Sequence, residues 1–398
     1  MKHLLVLFAT FLLFFFVFNA SAQDDKKEGY QFTPVKELKA TPVKNQYRSG
    51  TCWSFSGISF LESELLRLGK GEYDLSEMYV VRCSYLDKAI KYVRMHGNTS
   101  FAGGGQFHDV VNVINKYGML PESVYPGLLE GEKNHIHGEI DEVLKAYVDA
   151  ILKNKNKELS KNWIAGLEGI LDAYFGEVPI EFTYNGKKYT PRSFADQLGL
   201  KLNDYIYLTS FTHHPFYTPF AIEIPDNWAW GLVYNVTMDE LMAVIDNSVN
   251  NGYTVGWATD VSEQGFSWTK GIAIIPEKDY EDLSDLERGK WSDMSKEEKD
   301  ALVYHLNKPG TEKAITQELR QECFDNYLTT DDHGMHITGT AKDQNGTKYY
   351  QVKNSWGITG NPYQGYLYAS EAFVKFKTIS VMVNKESVPK DILKKLKL

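Results

Sequence analysis

Apolar positions in the first third of the chain recur with the period of an α-helix. Within residues 52–68 they stand at intervals of three and four, and Gly69 follows as a stop. Residues 76–95 predict a second helix with Ser76 as its N-cap. Residues 107–117 predict a third, whose apolar residues form one face. This part of the chain is therefore predicted to be helical.

The last part of the chain is predicted to be β. Four runs of strand-forming residues follow one another: 334–342, 347–354, 364–369 and 377–384. Residues 128–330 are mixed, with charged helical stretches, an Asn185-Gly186 hairpin and two strand-like runs. Helices first and strands last predict an α+β fold.

The N-terminal segment has the pattern of a secretory signal peptide. Lys2 and His3 precede an apolar run that ends at Phe18, and the small residues up to Ala22 form an Ala-x-Ala cleavage site. The run is shorter than the roughly 20 residues of a membrane span. We therefore predict a signal peptide over residues 1–22, an exported protein that is periplasmic or secreted, and no membrane span after cleavage.

Composition and charge exclude several kinds of protein. The chain has 398 residues, a formal net charge of −9 and three cysteines. The acidic balance does not favour a nucleic-acid surface, and three cysteines are too few for a disulfide scaffold or a four-cysteine zinc site. The sequence also lacks a phosphate-binding loop, a dinucleotide glycine fingerprint, His-Glu-x-x-His and Gly-x-Ser-x-Gly. We expect no cofactor.

Two further sets of residues are weaker candidates for chemistry. Cys83 and Cys323 could form a disulfide in an oxidising compartment, but burial in helix cores is the commoner fate. Two pairs of histidines are the other candidates, His135-x-His137 and His213-His214. Neither pair has the accompanying cysteine or carboxylate ligands, so we predict no metal and interpret them as solvated loop residues.

The strongest local signal surrounds Cys52. A glycine-containing loop that starts at Gln46 leads directly into this cysteine, which begins the first predicted helix. A helix N-terminus carries partial positive charge and free N–H groups, and both stabilise the nucleophilic thiolate. The amide of Gln46 and the backbone N–H of Cys52 could together stabilise an oxyanion. Burial in the core is the other common fate of a lone cysteine, and the local sequence leaves both open.

A second signal lies in the hairpin near the C-terminus. The strand that contains His336 turns at Asn345-Gly346 and returns to Asn354. A two-residue loop pairs position 336 with 355, and a four-residue loop shifts the pairing by two. Either loop makes His336 and Asn354 cross-strand neighbours within about a residue, close enough for a hydrogen bond. A slip of one residue would reverse the faces of the strand. Most strand histidines are structural, but a His–Asn pair in a chain with a helix-start cysteine favours catalysis.

Together these segments resemble the papain-like cysteine peptidases. The resemblance rests on Gln46 six residues before Cys52, on His336, and on the run Asn354-Ser355-Trp356-Gly357. About 280 residues separate Cys52 from His336, against about 130–150 in simple papain-like enzymes, which indicates a large insertion. The chain looks most similar to the bleomycin hydrolase and aminopeptidase C branch, through the segments 74–79, 104–107 and 233–236.

The resemblance implies a catalytic role for four residues. Cys52 would be the nucleophile, and His336 the general base and then the acid toward the leaving amine. Asn354 would orient the imidazole, and Gln46 would complete the oxyanion hole. The implied reaction is thiol-dependent hydrolysis of peptide substrates through an acyl-enzyme.

Three further residues are implied at the substrate. Gly104 and Gly105 would let the backbone of an extended peptide approach closely, because a side chain there would block it. Trp356 would shield the His–Asn hydrogen bond from water. In the branch, a C-terminal arm enters the cleft, and its carboxylate meets the free amine of the substrate. Residues 386–393 match the start of that tail, but the chain stops soon after and the arm itself is not matched.

Three functions remain open at this point. The branch favours an aminopeptidase, and the unmatched arm makes an endopeptidase with an open cleft the alternative. A catalytically silent peptide-binding protein on a peptidase scaffold is the third. A homo-oligomer is also left open.

The predicted architecture is an α+β, papain-like two-lobed fold with a large insertion between the Cys and His motifs. Residues 23–127 would form a helical lobe with Cys52, and residues 128–330 the insertion. Residues 331–398 would form a β lobe with His336 and Asn354.

Overall fold

The structure of the protein is a computed structural model. It describes residues 29–155, 158–277, 295 and 304–398. The predicted signal peptide, residues 1–22, lies outside the described residues. Among the helices of the described part, none combines the length and the hydropathy that a membrane span requires.

The helices of the first third agree with the sequence prediction. The described helices are α1 (Cys52–Arg67), α2 (Glu77–Arg94), α3 (Phe107–Tyr117), α4 (Gly138–Leu152), α5 (Asn162–Phe175), α6 (Pro191–Leu198), α7 (Met238–Asn250), α8 (Gln317–Asp325), α9 (Glu371–Lys377) and α10 (Lys390–Leu396). The helix α2 begins after Ser76, whose Oγ accepts a hydrogen bond from the backbone N–H of Tyr79 at 2.9 Å. This is the N-cap that the sequence predicts.

The strands concentrate in the second half of the chain. The described strands are β1 (Thr33–Glu37), β2 (Phe182–Tyr184), β3 (Lys187–Tyr189), β4 (Tyr205–Thr209), β5 (Pro219–Ala221), β6 (Leu232–Asn235), β7 (Val255–Thr259), β8 (Phe266–Ser267), β9 (Ile272–Ala273), β10 (His333–Lys342), β11 (Lys348–Lys353), β12 (Tyr366–Ser370) and β13 (Thr378–Asn384). Only β2 and β3 stand apart from the main sheet among these strands, and they form the predicted hairpin at Asn185-Gly186.

One mixed sheet runs through the molecule in the order β5-β6-β4-β13-β7-β10-β11-β12-β9-β8. The strand β10 lies near its middle, where it pairs antiparallel with β7 on one side and β11 on the other, and β1 pairs with it as well. The helix α1 packs against β10. These two elements therefore lie face to face at the centre of the molecule.

Residues 128–330, predicted as an insertion, contribute to two parts of the fold. The helices α4 and α5 pack against α2. The strands β4, β5 and β6 extend the sheet at one end, β8 and β9 extend it at the other, and β7 lies between β13 and β10. The predicted α+β class is confirmed, whereas the division of the chain at residues 127 and 330 stays a prediction.

Two large apolar clusters form the core. One surrounds the helices and contains Ile58 and Cys83, and the other lies around the sheet and contains Trp257 and Cys323. All three cysteines are free thiols. Because Cys83 and Cys323 belong to different clusters, the structure shows the buried alternative rather than a disulfide.

The β10–β11 hairpin has a register that differs from that of a two-residue loop. His336 pairs with Lys353, two positions from the partner that a two-residue loop gives it and at the position that a four-residue loop gives it. The turn is longer than two residues, because Asp343 Oδ1 accepts hydrogen bonds from the backbone N–H groups of Asn345 and Thr347, each at 2.9 Å. A bulge further along β10 shifts the register again.

Candidate active site

Cys52 is the first residue of α1, and its thiol is free and half-buried. Thr51 precedes it as N-cap residue, and the Thr51 carbonyl accepts from the backbone N–H of Ser54 at 3.0 Å. The first N–H groups of a helix have no partner within it and favour an anion. The cysteine therefore lies at the helix start that the sequence predicts.

Cys52 shares a cavity with His333, the first residue of β10. The cavity, together with the solvent space at its mouth, has a volume of about 260 Å³. Gly334 brings the strand and the helix together, since a Cβ there would lie 2.8 Å from Ser56 Oγ and 3.4 Å from Trp53 Cα. A residue with a side chain at this position would push β10 away from the first turn of α1.

The imidazole of His333 is hydrogen-bonded to Asn354. Its Nε2 lies 2.7 Å from Asn354 Oδ1, and the same oxygen accepts from the backbone N–H of Ser355 at 2.7 Å. Because a backbone N–H can only donate, the orientation of the Asn354 amide is fixed. His333 therefore carries its proton on Nε2, and Nδ1 is left as the basic nitrogen.

Trp356 covers this hydrogen bond. Its indole ring lies 4.7 Å from the His333 ring, at an interplanar angle of 32°. Trp268 packs edge-on against the same indole at 5.4 Å, and Phe266 does so at 6.0 Å. The resemblance implies that Trp356 shields a His–Asn hydrogen bond from water. In the structure, the bond beside Trp356 is the one between His333 and Asn354.

His336 lies on the other face of β10. Residues 333 and 336 are an odd number of positions apart, so their side chains point in opposite directions from the strand. The Nδ1 of His336 lies 2.9 Å from Ser59 Oγ of α1, and the ring is only 1% exposed, edge-on to Phe60. His336 is therefore a cross-strand neighbour of Asn354 within one residue, as predicted, but the hydrogen bond predicted for it is made by His333. The longer turn and the shifted register bring His333 to Asn354 instead.

Gln46 lies beside the segment that carries Asn354. Its backbone N–H donates to the Ser355 carbonyl at 2.8 Å, and its side-chain Oε1 accepts from Ser355 Oγ at 2.6 Å. Because the amide oxygen is engaged, the side-chain NH₂ is the half of the amide that Gln46 can offer to an oxyanion.

Gly104 and Gly105 lie in close contact with other parts of the protein. A Cβ on Gly105 would lie 2.8 Å from Trp53 Cε2, and a Cβ on Gly104 would overlap the carboxylate of Asp226. The Trp53 indole N–H also donates to the Gly103 carbonyl at 3.0 Å, which fixes the glycine segment against α1. The missing side chains thus let this segment pack between an indole and a carboxylate.

Burial disfavours the thiolate of Cys52 and the imidazolium of His333 when either charge forms without the other. It raises the pKa of Cys52 to about 12, with the backbone N–H of Gly334 opposing the shift and the charges of Asp331 and Asp226 adding to it. Burial also lowers the pKa of His333 to about 4, against the hydrogen bond that His333 donates to Asn354. Two opposite charges about 4 Å apart attract by about 4 kcal/mol at an effective dielectric constant of about 20. Thiolate and imidazolium are therefore expected to form together.

Three acidic residues that the sequence analysis did not single out line the same cavity: Asp226, Asp331 and Asp332. Two of them stand directly before His333, so their proximity to that histidine could have been read from the chain. Asp226 lies about a hundred residues upstream, in a turn between β5 and β6. No local pattern marks it, because its place in the cavity depends on tertiary packing.

The paired histidines do not form a ready metal site. Glu223 joins His213 and His214, with Nε2–oxygen distances of 3.0 and 2.7 Å. Gln321 Oε1 accepts from the backbone N–H of Thr212, so its NH₂ group donates to His213 Nδ1 at 3.0 Å. That hydrogen bond places the proton of His213 on Nε2. Nε2 faces Glu223, and it would have to lose this proton to bind a metal.

The other pair differs from its prediction. His135 and His137 are buried rather than solvated, and the backbone around them pairs with Arg48. Burial lowers the pKa of each to about 4. Both rings are therefore neutral at neutral pH.

A thiol at a helix start that shares a cavity with an imidazole–carboxamide pair, on an α+β fold with a large insertion, defines a papain-like cysteine peptidase. The model of the peptidase C1-like family matches residues 14–398. The chain belongs to this family.

The relatives of the chain are bacterial aminopeptidases. Aminopeptidase C from Listeria monocytogenes is 25% identical over 401 residues, which cover 90% of this chain and 83% of that protein. Aminopeptidase G from Lactobacillus delbrueckii subsp. lactis is 23% identical over 394 residues, which cover 89% and 83%. The crystal structure of PepW from Lactobacillus rhamnosis has a TM-score of 0.67 at 20% identity, covers 92% of this chain and 84% of that one, and shows the same fold.

The predicted export of the protein is wrong. The aminopeptidase C relatives are cytoplasmic enzymes of Listeria and of lactic acid bacteria. The family match also begins at residue 14, inside the predicted signal peptide, so it includes residues that cleavage would remove. A short apolar run followed by small residues fits the composition of a signal peptide, but composition alone does not establish one.

Proposed function

We propose that the protein is an aminopeptidase that hydrolyses peptide bonds through a thioester on Cys52. The observation that carries the proposal is the shared cavity of Cys52 and His333, whose Nε2–H is held by Asn354 so that Nδ1 can act as base. The names of the relatives support removal of amino-terminal residues in particular. An endopeptidase with an open cleft is not favoured by these relatives.

His333 replaces His336 in the mechanism. Cys52 Sγ attacks the substrate carbonyl carbon, and the thiol proton passes to His333 Nδ1. The backbone N–H of Cys52 and the side-chain NH₂ of Gln46 donate to the oxyanion. His333 then gives the proton to the leaving amine, the C–N bond breaks, and a thioester remains. Water loses a proton to Nδ1 and attacks the thioester, which releases the acid and restores the thiol.

Asn354 and Trp356 act on His333 rather than on the substrate. Asn354 holds the tautomer with the proton on Nε2, and Trp356 keeps water from the hydrogen bond that does so. A homo-oligomer stays a prediction, which light scattering would test.

The test compares two fluorogenic substrates on the full chain under reducing conditions. One is an aminoacyl amide with a free amine, and the other is its N-acetylated counterpart. Cys52→Ala serves as the control for each. We expect hydrolysis of the free-amine substrate only, and none by Cys52→Ala.

The other outcomes separate the remaining functions. Hydrolysis of the acetylated substrate at a similar rate would indicate an endopeptidase. Binding of peptide without turnover would indicate a silent scaffold. Undiminished turnover by Cys52→Ala would overturn the thiol mechanism itself.

A further inference from the structure

The cavity that Cys52 and His333 share is unusually acidic for its size. Three carboxyl groups line it: Asp226, Asp331 and Asp332. Thiolate formation gains nothing from them, since negative charge near the sulfur raises the pKa of Cys52. Their presence beside the nucleophile therefore calls for another function, and a cationic group on the substrate is the natural partner for a carboxylate.

Two of the three carboxyl groups are already engaged. Asp331 Oδ2 accepts from the Gln106 side-chain amide at 2.6 Å, and burial raises the pKa of Asp331 to about 8. Asp331 is therefore largely uncharged at neutral pH.

Asp332 accepts hydrogen bonds that close the loop before β10. Its Oδ2 receives the backbone N–H groups of Val261 and Ser262, at 3.3 and 3.2 Å, and its Oδ1 receives Thr330 Oγ1 at 2.7 Å. This carboxylate has a structural role that is complete without a ligand.

Asp226 is the carboxylate that stays unpaired. Within the described residues, no hydrogen-bond donor and no ion pair reaches its side chain. It nevertheless lies against Gly104, where only the absence of a Cβ gives it room. An ionised carboxylate in a protein cleft costs free energy unless it is paired. We therefore expect a ligand from outside the chain to pair with Asp226.

The loop that carries Asp226 is held in place by its neighbour. Asn227 is 3% exposed, and its Oδ1 accepts from the backbone N–H of Gly231 at 2.7 Å. Its Nδ2 donates to the carbonyls of Ile222 at 3.0 Å and Gly231 at 3.1 Å. The carboxylate is therefore fixed before a ligand arrives, which lowers the entropy cost of binding.

Lys88 is the nearby positive charge that acts on Asp226 without pairing with it. Its Nζ donates to the carbonyl of Ala102 at 2.7 Å and to that of Gly104, so the ammonium group is occupied by the glycine segment. Burial and the charge of Asp109 raise the pKa of Asp226, and the positive charge of Lys88 opposes that shift. An ammonium group of a substrate beside Asp226 would oppose it in the same direction as Lys88.

We propose that Asp226 binds the α-ammonium group of the substrate's first residue and thereby makes the enzyme an aminopeptidase. The inference rests on the proposed function and names the residue that sets its specificity. The helix α10 does not take this place: its Ile392 and Leu396 are buried in the sheet-side core, and its Lys395 forms an ion pair with Glu240. By its contact with Gly104, Asp226 also limits how far a longer peptide can extend along the glycine segment.

The test uses three substrates with the same leaving group: an aminoacyl amide with a free amine, its N-acetylated form, and its desamino form, which lacks the amine. Asp226→Asn keeps the shape of the side chain and removes the charge. Loss of one partner of a buried charge pair costs about 2–5 kcal/mol, so kcat/KM for the free amine should fall about 30-fold or more. The desamino substrate should be cleaved at an unchanged rate.

Matched variants separate charge from structure. Glu223→Gln removes a carboxylate three residues earlier in the same segment but outside the cavity, and should leave all three rates unchanged. Asp226→Glu should recover part of the preference for the free amine. If Asp226→Asn fails to fold, Gly104→Ala displaces the carboxylate and should give the same loss of preference.

Different results would contradict the role of Asp226 and the aminopeptidase function. Labelling of Cys52 by iodoacetamide reports an intact thiol in every variant, without any need for an amine. A wild-type enzyme that cleaves none of the substrates would overturn the proposed function. A wild-type enzyme that prefers the free amine, with that preference unchanged in Asp226→Asn, would overturn only the role of Asp226.

Discussion

The proposed role of His333 in place of His336 leads to a sharp test. His333→Ala removes the imidazole that shares the cavity with Cys52, and His336→Leu removes the one behind it. General-base catalysis contributes about 10²- to 10⁴-fold to a rate. Removal of the imidazolium also takes away an attraction of about 4 kcal/mol for the thiolate, which is about 10³-fold. We therefore expect His333→Ala to lower kcat/KM by about 10³-fold or more.

His336→Leu should leave the activity nearly unchanged. Ser59 Oγ keeps a partner, because Lys353 Nζ lies 2.7 Å away. The Nε2 of His336 is buried without a partner, and its loss removes a desolvation cost of about 1–3 kcal/mol. The apolar replacement should therefore change the free energy of unfolding by no more than about 1.5 kcal/mol in either direction.

The assay is steady-state hydrolysis of the free-amine substrate, with urea unfolding of each variant beside it. The rate of Cys52 alkylation at neutral pH is a second readout, and it should fall in His333→Ala because the thiolate loses its partner. A folded His333→Ala with wild-type turnover would refute the reasoning. So would a folded but inactive His336→Leu.

Three further changes have expected outcomes. Asn354→Ala removes the acceptor that holds the imidazole tautomer, so kcat should fall about 10²-fold with KM little changed, and an unchanged kcat would contradict the positioning role. Burial raises the pKa of Glu312 to about 7, so its contribution to stability is present at pH values below about 4.5 and is lost as the pH rises through 7. Relative to wild type, Glu312→Gln should therefore gain up to about 3 kcal/mol in urea unfolding between those pH values, and a constant difference would contradict the burial argument. In the folded protein, Cys52 should react with iodoacetamide before the two buried cysteines, and mass spectrometry of the labelled peptides would show any other order.

The helices near Cys52 could be predicted because their signals are local. The apolar period, the Ser76 cap and the position of the cysteine at a helix start depend on residues within a few turns of one another. The structure places all three as the sequence indicates.

Which histidine lies beside Asn354 could not be predicted in the same way. It depends on the length of one turn, and the Asp343 side chain sets that length by binding two backbone N–H groups. The observed shift of two positions keeps every side chain on its face and moves Asn354 along β10 toward His333. His333 stands three positions before His336, so the strand offered both histidines, and only the hairpin geometry chooses between them.

Asp226 and the strands β4 to β6 escaped the sequence analysis for a further reason. Their places depend on contacts between distant parts of the chain, such as the pairing of β4 with β13. No local period or motif carries that information.

The hydrogen bond between Ser59 and His336 acts as a spacer between helix and strand. Cys52 lies two turns before Ser59 on α1, and His333 lies three residues before His336 on β10, so this buried contact sets the separation of the two reacting groups at a distance from them. Natural variation at these two positions is therefore expected to keep the spacing of α1 and β10, which an apolar pair could also maintain, rather than the hydrogen bond itself. A sequence comparison that equates constancy at such positions with catalysis would mistake a packing requirement for a chemical one.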